Sequence, residues 1–330
     1  MRVHVIVDFM FLYYKYNVML KYGRLKNLSV TVDKRVWNGD DIDKLKQQDM
    51  QDYGGTEEEI KKDISCIYYT IKEIEQFRRK HENNGNEVTV SVCFDAPSPE
   101  RKQENSDYKS NRNPNRLGEQ DFNDIAEIKE MLALAGYNVY WREGTEADDL
   151  IYSLCEQYKS DTYFDYTVIY TPDADIVINI DDRVAVNRYK SKKGYTTVTK
   201  DNYKSYLIGE LGAAVEYNSI MLYKSICGDK SDNIAGIKGF GPAKFMKLRE
   251  QLIKHGIIDW STMKHREEVE NALNILKNNG QLTDGQYEEA ISSLELVVPK
   301  KIELEAPVNK GTKEKRVEAY SRYDMKSLYE

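Results

Sequence analysis

Three short β-branched runs in this sequence each lead into an acidic residue. The runs are residues 3–7 before Asp8, residues 88–94 before Asp95, and residues 166–170 shortly before Asp173. Helical patterns lie between the runs, and strands that alternate with helices form a mainly parallel sheet. Because the carboxyl ends of parallel strands share one edge, where ligand sites gather, we expect these three carboxylates to lie close together. The sequence therefore predicts an α/β fold with a functional site at that edge.

The rest of the pattern completes the alternation of helices and strands. A capping-box pair, Thr56 and Glu59, predicts the start of a long helix whose apolar face continues through Ile60 and Ile64. Further expected elements are a helix over about 122–135, a strand over 138–142, a helix over 146–157, a basic hairpin over 183–199, and helices beyond 201. The polar stretch 309–315 is typical of a solvated linker.

Length and patterning indicate two regions in this 330-residue chain. Residues 1–200 form the expected α/β core, with a Pro- and Asn-punctuated region at about 97–121, and residues 201–330 form a mainly helical region. No apolar run approaches the roughly 20 residues needed to cross a bilayer, and the N-terminus lacks a signal-peptide pattern. We therefore expect an intracellular, cytoplasmic protein with no membrane partner.

Overall charge and cysteine spacing exclude some classes of site. The formal net charge of −7 at first argues against a nucleic-acid partner. That argument fails if many acids converge on bound cations, so the distribution of charge matters more than its sum. The four cysteines lie far apart, with no CxxC and no histidine at zinc-ligand spacing, which favours buried free thiols.

Acidic residues concentrate in five segments of the chain. The candidate metal ligands among them are Asp8, Asp95, Glu146, Asp148, Asp149, Asp173, Asp175, Asp229 and Asp232. Crowded carboxylates repel one another unless cations neutralise them, and oxygen ligands without His or Cys favour Mg²⁺ or Mn²⁺. Two such ions can activate a water and stabilise the leaving oxygen of a phosphodiester. Since the four histidines lie outside these segments and no P-loop is present, metal-assisted hydrolysis is the favoured chemistry.

The order of these motifs resembles the flap endonuclease family, which includes phage 5′-nucleases, phage ribonuclease H proteins and the 5′-nuclease domain of bacterial DNA polymerase I. The resemblance runs from Val3 to about Leu252. Its landmarks are Val5-Ile-Val-Asp8, Phe94-Asp95-Ala96, Arg101, Tyr108-Lys109-x-x-Arg112, Glu146-Ala-Asp148-Asp149, Asp173-Ala-Asp175, and Gly228-Asp229-x-x-Asp232-Asn233 followed by Gly236, Gly239 and Gly241. Each string is weak alone, but their shared order and spacing make the resemblance specific.

The resemblance implies a PIN-like 5′-nuclease fold with a helical arch and a helix–three-turn–helix region at about 218–252. It implies two metal sites. The first would use Asp8, Asp95, Glu146, Asp148 and Asp149, and the second would use Asp173, Asp175, Asp229 and Asp232. Two Mg²⁺ or Mn²⁺ ions would bind there, with K⁺ as a further candidate ligand at the glycine turn.

Basic and glycine positions complete the implied site. Lys109 and Arg112 match the cationic pair at the base of the arch and would act on the scissile phosphate. Tyr108 would stack on a terminal base, and Arg101 and Lys224 would approach phosphates. The residues expected to hold the duplex by its backbone are Gly236, Lys238, Gly239, Gly241, Lys244 and Lys247.

Two departures from the family pattern stand near Asp8. The family usually has glycine after the first aspartate and arginine seven residues beyond it. Phe9 and Lys15 take those places here, so Lys15 becomes the corresponding candidate for a nucleic-acid contact. The polar stretch 27–55 is also longer than the family leads us to expect.

Three functions are compatible with this pattern. The first is a monomeric replication and repair enzyme with 5′-3′ exonuclease and flap endonuclease activity, acting on branched, nicked or flapped DNA. The second is a phage-type ribonuclease H that acts mainly on the RNA of RNA–DNA hybrids. The third is a branched-DNA binding protein that has lost catalysis, which the complete set of acids disfavours.

Overall fold

The structure is a computed structural model, and it describes residues 1–33, 59–111, 116–160, 163–254 and 263–329. The β-strands are β1 Arg2–Asp8, β2 Ser29–Asp33, β3 Glu59–Asp63, β4 Glu87–Cys93, β5 Asn138–Tyr140, β6 Tyr166–Thr171, β7 Val184–Lys190 and β8 Gly194–Val198. The α-helices are α1 Phe9–Lys21, α2 Ser65–Glu82, α3 Pro99–Glu104, α4 Glu119–Leu134, α5 Ala147–Ser160, α6 Tyr203–Leu211, α7 Ile220–Cys227, α8 Pro242–Lys254, α9 Arg266–Asn278, α10 Asp284–Val297 and α11 Lys313–Ser321. Short 3₁₀ helices include Asp175–Asn179.

The six-stranded sheet has the order β5-β4-β1-β6-β7-β8. β1 pairs in parallel with both β4 and β6, and β6 pairs in parallel with β7. β7 and β8 form an antiparallel hairpin. The mainly parallel α/β fold and the basic hairpin expected from the sequence are both confirmed.

The central strands have apolar side chains on both faces, as strands covered on both sides require. In β1, Val5, Ile6 and Val7 are completely buried. The parallel register places Asp8 beside Cys93, so Asp8 and Asp95 leave the sheet at the same edge. Asp173 follows the end of β6 at that edge as well.

The chain divides into two compact units, each assembled from separate stretches. The first comprises residues 1–9, 81–116 and 140–306, and the second comprises residues 10–80, 117–139 and 307–330. The core of the first unit includes Ile151, Ile169, Met221 and Phe245. This unit also contains every predicted acidic ligand.

The second unit contains the β2–β3 hairpin together with helical elements. Its buried polar contacts are tightly paired: the Lys15 ammonium lies 2.6 Å from a Glu73 carboxylate oxygen. The Tyr320 hydroxyl donates to Glu75 at 2.7 Å, which ties α11 to α2. Buried pairs of this kind satisfy charges that would otherwise be costly to remove from water.

Two expectations about local structure were wrong. The long helix begins at Ser65, because Glu59–Asp63 instead forms a strand paired with Ser29–Asp33. The Asp63 carboxylate accepts the Ser65 amide at 2.8 Å and so starts the helix there, whereas Thr56 lies outside the described residues.

The stretch 309–315 is largely exposed, as expected, but it is not a linker. Val308 bridges to Val139, and the Lys310 amide donates to the Ala133 carbonyl at 3.0 Å. α11 then begins at Lys313, capped by the Thr312 hydroxyl. This stretch therefore belongs to the packed second unit, because its backbone pairs with neighbouring elements.

All four cysteines are free thiols as predicted; Cys66, Cys93 and Cys155 are also buried, whereas Cys227 is partly exposed. No helix in the described ranges combines the length and the apolar character that a membrane span requires.

Candidate active site

Thr171, at the end of β6, connects two of the acids at the sheet edge. Its hydroxyl donates to Asp8 Oδ2 at 3.0 Å and accepts the Asp173 amide at 3.1 Å. Thr171 is completely buried, so these two bonds are protected from water. The strand end therefore fixes the relative position of carboxylates that come from β1 and from the loop after β6.

Asp95 is held by the amino end of α5. Its Oδ1 accepts the Ala147 amide at 2.6 Å. The first turn of that helix carries Asp148 and Asp149, a position where the helix dipole favours negative charge. α5 thus brings the acids of its own first turn against the acid that follows β4.

Phe9, which stands where the family usually has glycine, packs beside these acids. Its ring stacks on Phe94 with 4.0 Å between ring centroids, and both rings are buried. Each of the two rings belongs to a direct neighbour of an aspartate, Asp8 or Asp95. Phe9, in place of glycine, therefore adds a stacked apolar pair next to Asp8 and Asp95, which remain at the ends of their strands.

The electrostatics of this group favour a bound cation. Burial, followed by the charge of Asp95, raises the pKa of Asp8 to about 8. Burial, followed by the charges of Asp173 and Asp8, raises the pKa of Asp148 well above its ordinary value. Carboxylates that raise one another's pKa in this way are stabilised in the charged form when a cation enters their midst.

Glu146 and Asp149 are already paired with basic side chains. The Arg101 guanidinium contacts Glu146 and lies 2.8 Å from Asp149 Oδ1, and Asp149 also accepts the Lys300 amide at 2.7 Å. Glu146 further accepts the Lys109 ammonium at 2.9 Å. Burial raises the pKa of Glu146, but the charges of Lys109 and Arg101 outweigh this effect and bring the pKa below its ordinary value.

Lys109 is held in a strained turn that directs it toward the acids. Its φ of +53° lies in the left-handed region, which non-glycine residues rarely adopt. The Lys109 amide donates to the Asp232 carbonyl at 2.9 Å, and the Asn233 side chain donates to the Asp107 carbonyl at 2.9 Å. Strain that the surroundings maintain in this way is concentrated at functional sites.

A second acidic group is centred on Lys224, in α7. Its ammonium contacts both Asp175 and Asp229. Burial raises the pKa of Asp175 to about 7, against the opposing charge of Lys224. The pKa of Asp229 is instead lowered: burial raises it, but the charge of Lys224 outweighs that effect.

One oxygen of this group bears on whether the site suits a cation. Asp175 Oδ1 is buried and has no hydrogen-bond partner among the residues that the structure describes. A buried carboxylate oxygen without a donor is costly, and a metal ion is a ligand that would satisfy it. The donor set of aspartates without His or Cys suits Mg²⁺ or Mn²⁺.

Asp148 of the first acidic group and Asp175 and Asp229 of the second line one cavity of about 30 Å³. Its polar lining consists of Arg101, Tyr108, Asp148, Asp175, Asp229 and Asp232. Its apolar wall includes Leu296, Val297 and Pro299. As the side chains stand, no three Asp, Glu, His or Cys residues within the described ranges have the geometry to hold an ion. Glu146, Asp175 and Asp229 instead contact basic side chains.

The predicted basic and aromatic positions other than Lys109 fall into four groups. Arg101, Tyr108 and Lys224 are buried, and the Tyr108 hydroxyl donates to Glu146 at 3.1 Å. Lys15 is bound to Glu73 within the second unit. Arg112 lies outside the described residues. Lys238, Lys244 and Lys247 are exposed, as phosphate contacts require.

The glycine segment forms a tight turn between α7 and α8. Gly236 has a φ of +65°, and a Cβ there would lie 2.2 Å from the Gly228 amide nitrogen. Asp229 and Ile234 pair through both of their amides, which closes the acidic loop. Glycine is required at Gly236 because the two backbone segments touch.

One amide of this turn is bound by a carboxylate. The Lys238 backbone N–H donates to Glu289 Oε2, from α10, at 3.1 Å. The Lys244 ammonium lies 3.9 Å from the centre of the Phe240 ring, near the start of α8. An anionic oxygen at a turn amide shows that this position accepts negative charge.

Several residues that shape the site were absent from the sequence prediction. They are Thr171, Glu289, Val298 and Lys300. Thr171 stands two residues before Asp173, a spacing that could have indicated a role. The other three reach the site from distant parts of the chain, and no local pattern marks them.

Comparison with known proteins gives consistent relatives. Residues 51–206 match the family described as 5′-3′ exonuclease, N-terminal resolvase-like domain. A 5′-3′ exonuclease of Mycoplasma pneumoniae is 34% identical over 175 residues, covering 51% of this chain and 54% of that protein. DNA polymerase I of Caldicellulosiruptor bescii is 36% identical over 165 residues, covering 49% of this chain and 18% of that protein. The matches thus span about half the length of the curated exonuclease.

The fold has relatives among solved structures. The bacteriophage T5 flap endonuclease, in a pseudo-enzyme-product complex with DNA and metal ions, aligns with a TM-score of 0.55 and 14% identity. That alignment covers 99% of this chain and 97% of the other. The T5 5′-exonuclease with bound zinc ions aligns with a TM-score of 0.54 and 15% identity. Sequence and fold thus agree: residues 51–206 match the 5′-3′ exonuclease N-terminal domain, and the chain shares the fold of the T5 nuclease structures.

Proposed function

We propose that this protein is a structure-specific 5′-nuclease that hydrolyses phosphodiester bonds in branched or flapped DNA with two divalent metal ions. The observation that carries the proposal is the buried acidic edge, where Asp8, Asp148 and Asp175 have raised pKa values. Such a group is unfavourable by itself and becomes favourable around cations. The match of residues 51–206 to a 5′-3′ exonuclease domain supports the same proposal.

The acids divide between two candidate metal positions. Asp8, Asp95 and Asp148 lie around the first, and Asp173 is electrostatically coupled to both Asp148 and Asp175. Bound Mg²⁺ or Mn²⁺ would supply an activated water and would neutralise the leaving oxygen. Asp175 and Asp229 would serve the second position, together with Asp232. Glu146 and Asp149 would act through Arg101 and Lys109, or after those side chains move.

The basic residues would place the substrate. Lys109 extends into the acidic group and would neutralise charge that develops on the scissile phosphate. Arg112, three residues further along the chain, would assist it. Lys238, Lys244 and the glycine turn would hold duplex phosphates without reading the base sequence. The T5 flap endonuclease, which was solved with DNA and metal ions, supports a DNA substrate.

The proposal is tested by cleavage of a 5′-labelled flap duplex with Mg²⁺, with Mn²⁺ and with EDTA. We expect cutting near the junction that requires the metal. Asp175→Asn should abolish cutting while retaining flap binding, because it removes charge from the cavity and preserves the side-chain shape. A parallel RNA-flap substrate would measure the preference between the two sugars. Full cleavage by Asp175→Asn, or cleavage in EDTA, would contradict the two-metal assignment.

A matched control comes from an acid outside the cavity. Asp182 is exposed and pairs with Lys200 near the hairpin, so Asp182→Asn removes the same charge without touching the site. That variant should cleave like the wild type. Flap binding without cleavage by the wild-type protein, under all metal conditions, would favour the binding-protein alternative.

A further inference from the structure

Lys224 occupies an unusual position for a lysine in a protein that binds nucleic acid. It lies in α7, and its side chain is only 8% exposed. Its ammonium is shared by the carboxylates of Asp175 and Asp229, which approach from the 3₁₀ turn after β6 and from the loop after α7. A buried lysine is rare unless it is paired, so these two acids account for its placement.

The charges around this ammonium do not cancel by themselves. Asp175 and Asp229 contact it, and Asp173 acts on it as a third negative charge. One cation therefore faces three carboxylates, and one oxygen, Asp175 Oδ1, has no partner among the described residues. The group has the acidic surplus and the open oxygen expected of a place that takes a second, stronger cation.

Burial argues against a phosphate contact for Lys224. An external phosphate would have to enter between three carboxylates, which repel it. The exposed lysines of the glycine turn, including Lys238 and Lys244, meet no such barrier. Lys224 therefore acts on the acids of its own chain.

We propose that Lys224 is the internal counter-cation of the Asp175–Asp229 pair and that it sets the affinity of the second metal position by competing for these two carboxylates. This inference rests on the proposed function, because it takes that pair to be metal ligands. Lys224 holds the acids together in the metal-free protein and weakens the binding of a divalent ion. It is a positioning residue, since it acts through the two aspartates.

The test is a Mn²⁺ titration of the full chain, in which binding is measured by calorimetry and by the electron paramagnetic resonance signal of free Mn²⁺. Lys224→Met replaces the lysine with a side chain of similar length that carries no charge. We expect the weaker Mn²⁺ site to bind at least about tenfold more tightly than in the wild type, because a unit charge in contact with both ligands is removed. Unchanged or weaker Mn²⁺ binding would overturn the inference.

Two further variants separate charge from shape. Lys224→Gln keeps a hydrogen-bond donor but lacks the charge, so it should also tighten Mn²⁺ binding. Lys264→Met removes a partly buried lysine that lies near Lys159 and Glu156, away from this pair, and should leave Mn²⁺ binding unchanged. Equal tightening in Lys264→Met would show a general charge effect and would overturn the assignment to Lys224.

Folding and function are distinguished in the same experiment. If Lys224→Met is less stable without metal, saturating Mn²⁺ should restore its unfolding temperature toward the wild-type value, because the ion replaces the missing charge. A variant that stays unfolded in saturating Mn²⁺ would overturn the inference. A wild-type protein that binds no Mn²⁺ would instead overturn the proposed function. If the wild type binds Mn²⁺ and Asp175→Asn does not, the proposed function stands, whatever the result for Lys224→Met.

Discussion

The Thr171 hydroxyl donates a hydrogen bond to Asp8 at the end of the sheet, with 3.0 Å between Oγ1 and Oδ2. The bond favours the charged carboxylate, and it opposes burial, which raises the pKa of Asp8. Thr171→Val preserves the shape of the side chain and removes the donor to Asp8, together with the acceptor of the Asp173 amide. We expect cleavage at pH 7 to fall about tenfold and the pH profile to move up by about one unit, since a bond to a charged group contributes about 1.5–3 kcal/mol.

The measurement is the pH dependence of single-turnover cleavage. Thr167→Val is the matched control, because Thr167 is buried in the same strand and pairs in register with His4, away from Asp8. Equal losses in the two variants, or a loss without a displaced pH profile, would show that Thr171 only supports packing.

Stability without metal should fall as the pH rises from 6.5 to 8. The pKa of Asp8 is raised to about 8 and that of Asp175 to about 7, so the folded protein binds more protons than the unfolded chain between about pH 4 and these values. Their stabilising contribution is complete below the ordinary carboxyl pKa of about 4 and is lost as the pH rises through 7 and 8. The expected decrease in the free energy of unfolding is on the order of 2 kcal/mol.

Urea unfolding at pH 6.5 and pH 8, with and without Mg²⁺, measures this effect. The range ends at pH 8 because the pKa of Lys264 is lowered to about 8, mainly by burial, and its titration acts in the opposite direction above that pH. Mg²⁺ should stabilise the protein more at pH 8, since deprotonated carboxylates bind it. Metal-free stability that rises over this range would contradict the raised pKa values.

Gly236→Ala should be strongly destabilising. The new Cβ would lie 2.2 Å from the Gly228 amide nitrogen, at a φ of +65°. The positive φ alone costs about 1–2 kcal/mol, and the collision with backbone adds to it. Gly239→Ala separates the two effects, because its φ is +78° and a Cβ there meets no heavy atom within 4 Å among the described residues. Chemical unfolding should show a loss of about 1 kcal/mol for Gly239→Ala and several times that for Gly236→Ala. Similar losses in both would refute the close-approach argument.

Glu289→Gln should strengthen duplex binding about threefold to tenfold. The Glu289 carboxylate accepts the Lys238 amide at 3.1 Å, which is the kind of donor a phosphate would use. The substitution removes the negative charge that competes with the phosphate and lies beside it. Binding would be measured by fluorescence anisotropy of a labelled duplex over a range of salt concentrations.

Glu288→Gln provides the comparison, because Glu288 is the exposed neighbour on the same helix and its charge raises the pKa of Lys277. Its effect should be smaller and should vanish at higher salt, as expected for a general change in charge. If both variants tightened binding equally, Glu289 would have no particular relation to the turn.

The position of the acids could be predicted because strand ends are local in the sequence. A β-branched run followed by an aspartate identifies both a buried strand and the edge at which it ends, as Asp8 and Asp95 illustrate. The start of α2 could not be read in the same way. Ile60 and Ile64 fit a helical period, but residues 59–63 pair with 29–33, and that long-range pairing overrides the local pattern.

The partners of the acids were the least predictable part of the site. The resemblance implied that Arg101 and Lys224 approach phosphates, but sequence spacing carries no information about their burial. Their carboxylate partners lie 45–49 residues away for Glu146, Asp149 and Asp175. The Lys300 amide, 151 residues from Asp149, reaches the site through a backbone group that every residue possesses. Only the folded arrangement distinguishes it.

The segment after α10 determines how this protein can be shortened. The Val298 carbonyl accepts from Arg101, the Lys300 amide donates to Asp149, and the Ile302 amide donates to the Ser153 hydroxyl. A fragment that stops at Val297 would retain all nine acids and both ends of the glycine turn, yet it would expose Arg101 and remove a donor from Asp149. The smallest functional piece must therefore extend beyond Ile302, although the resemblance in sequence ends some fifty residues earlier.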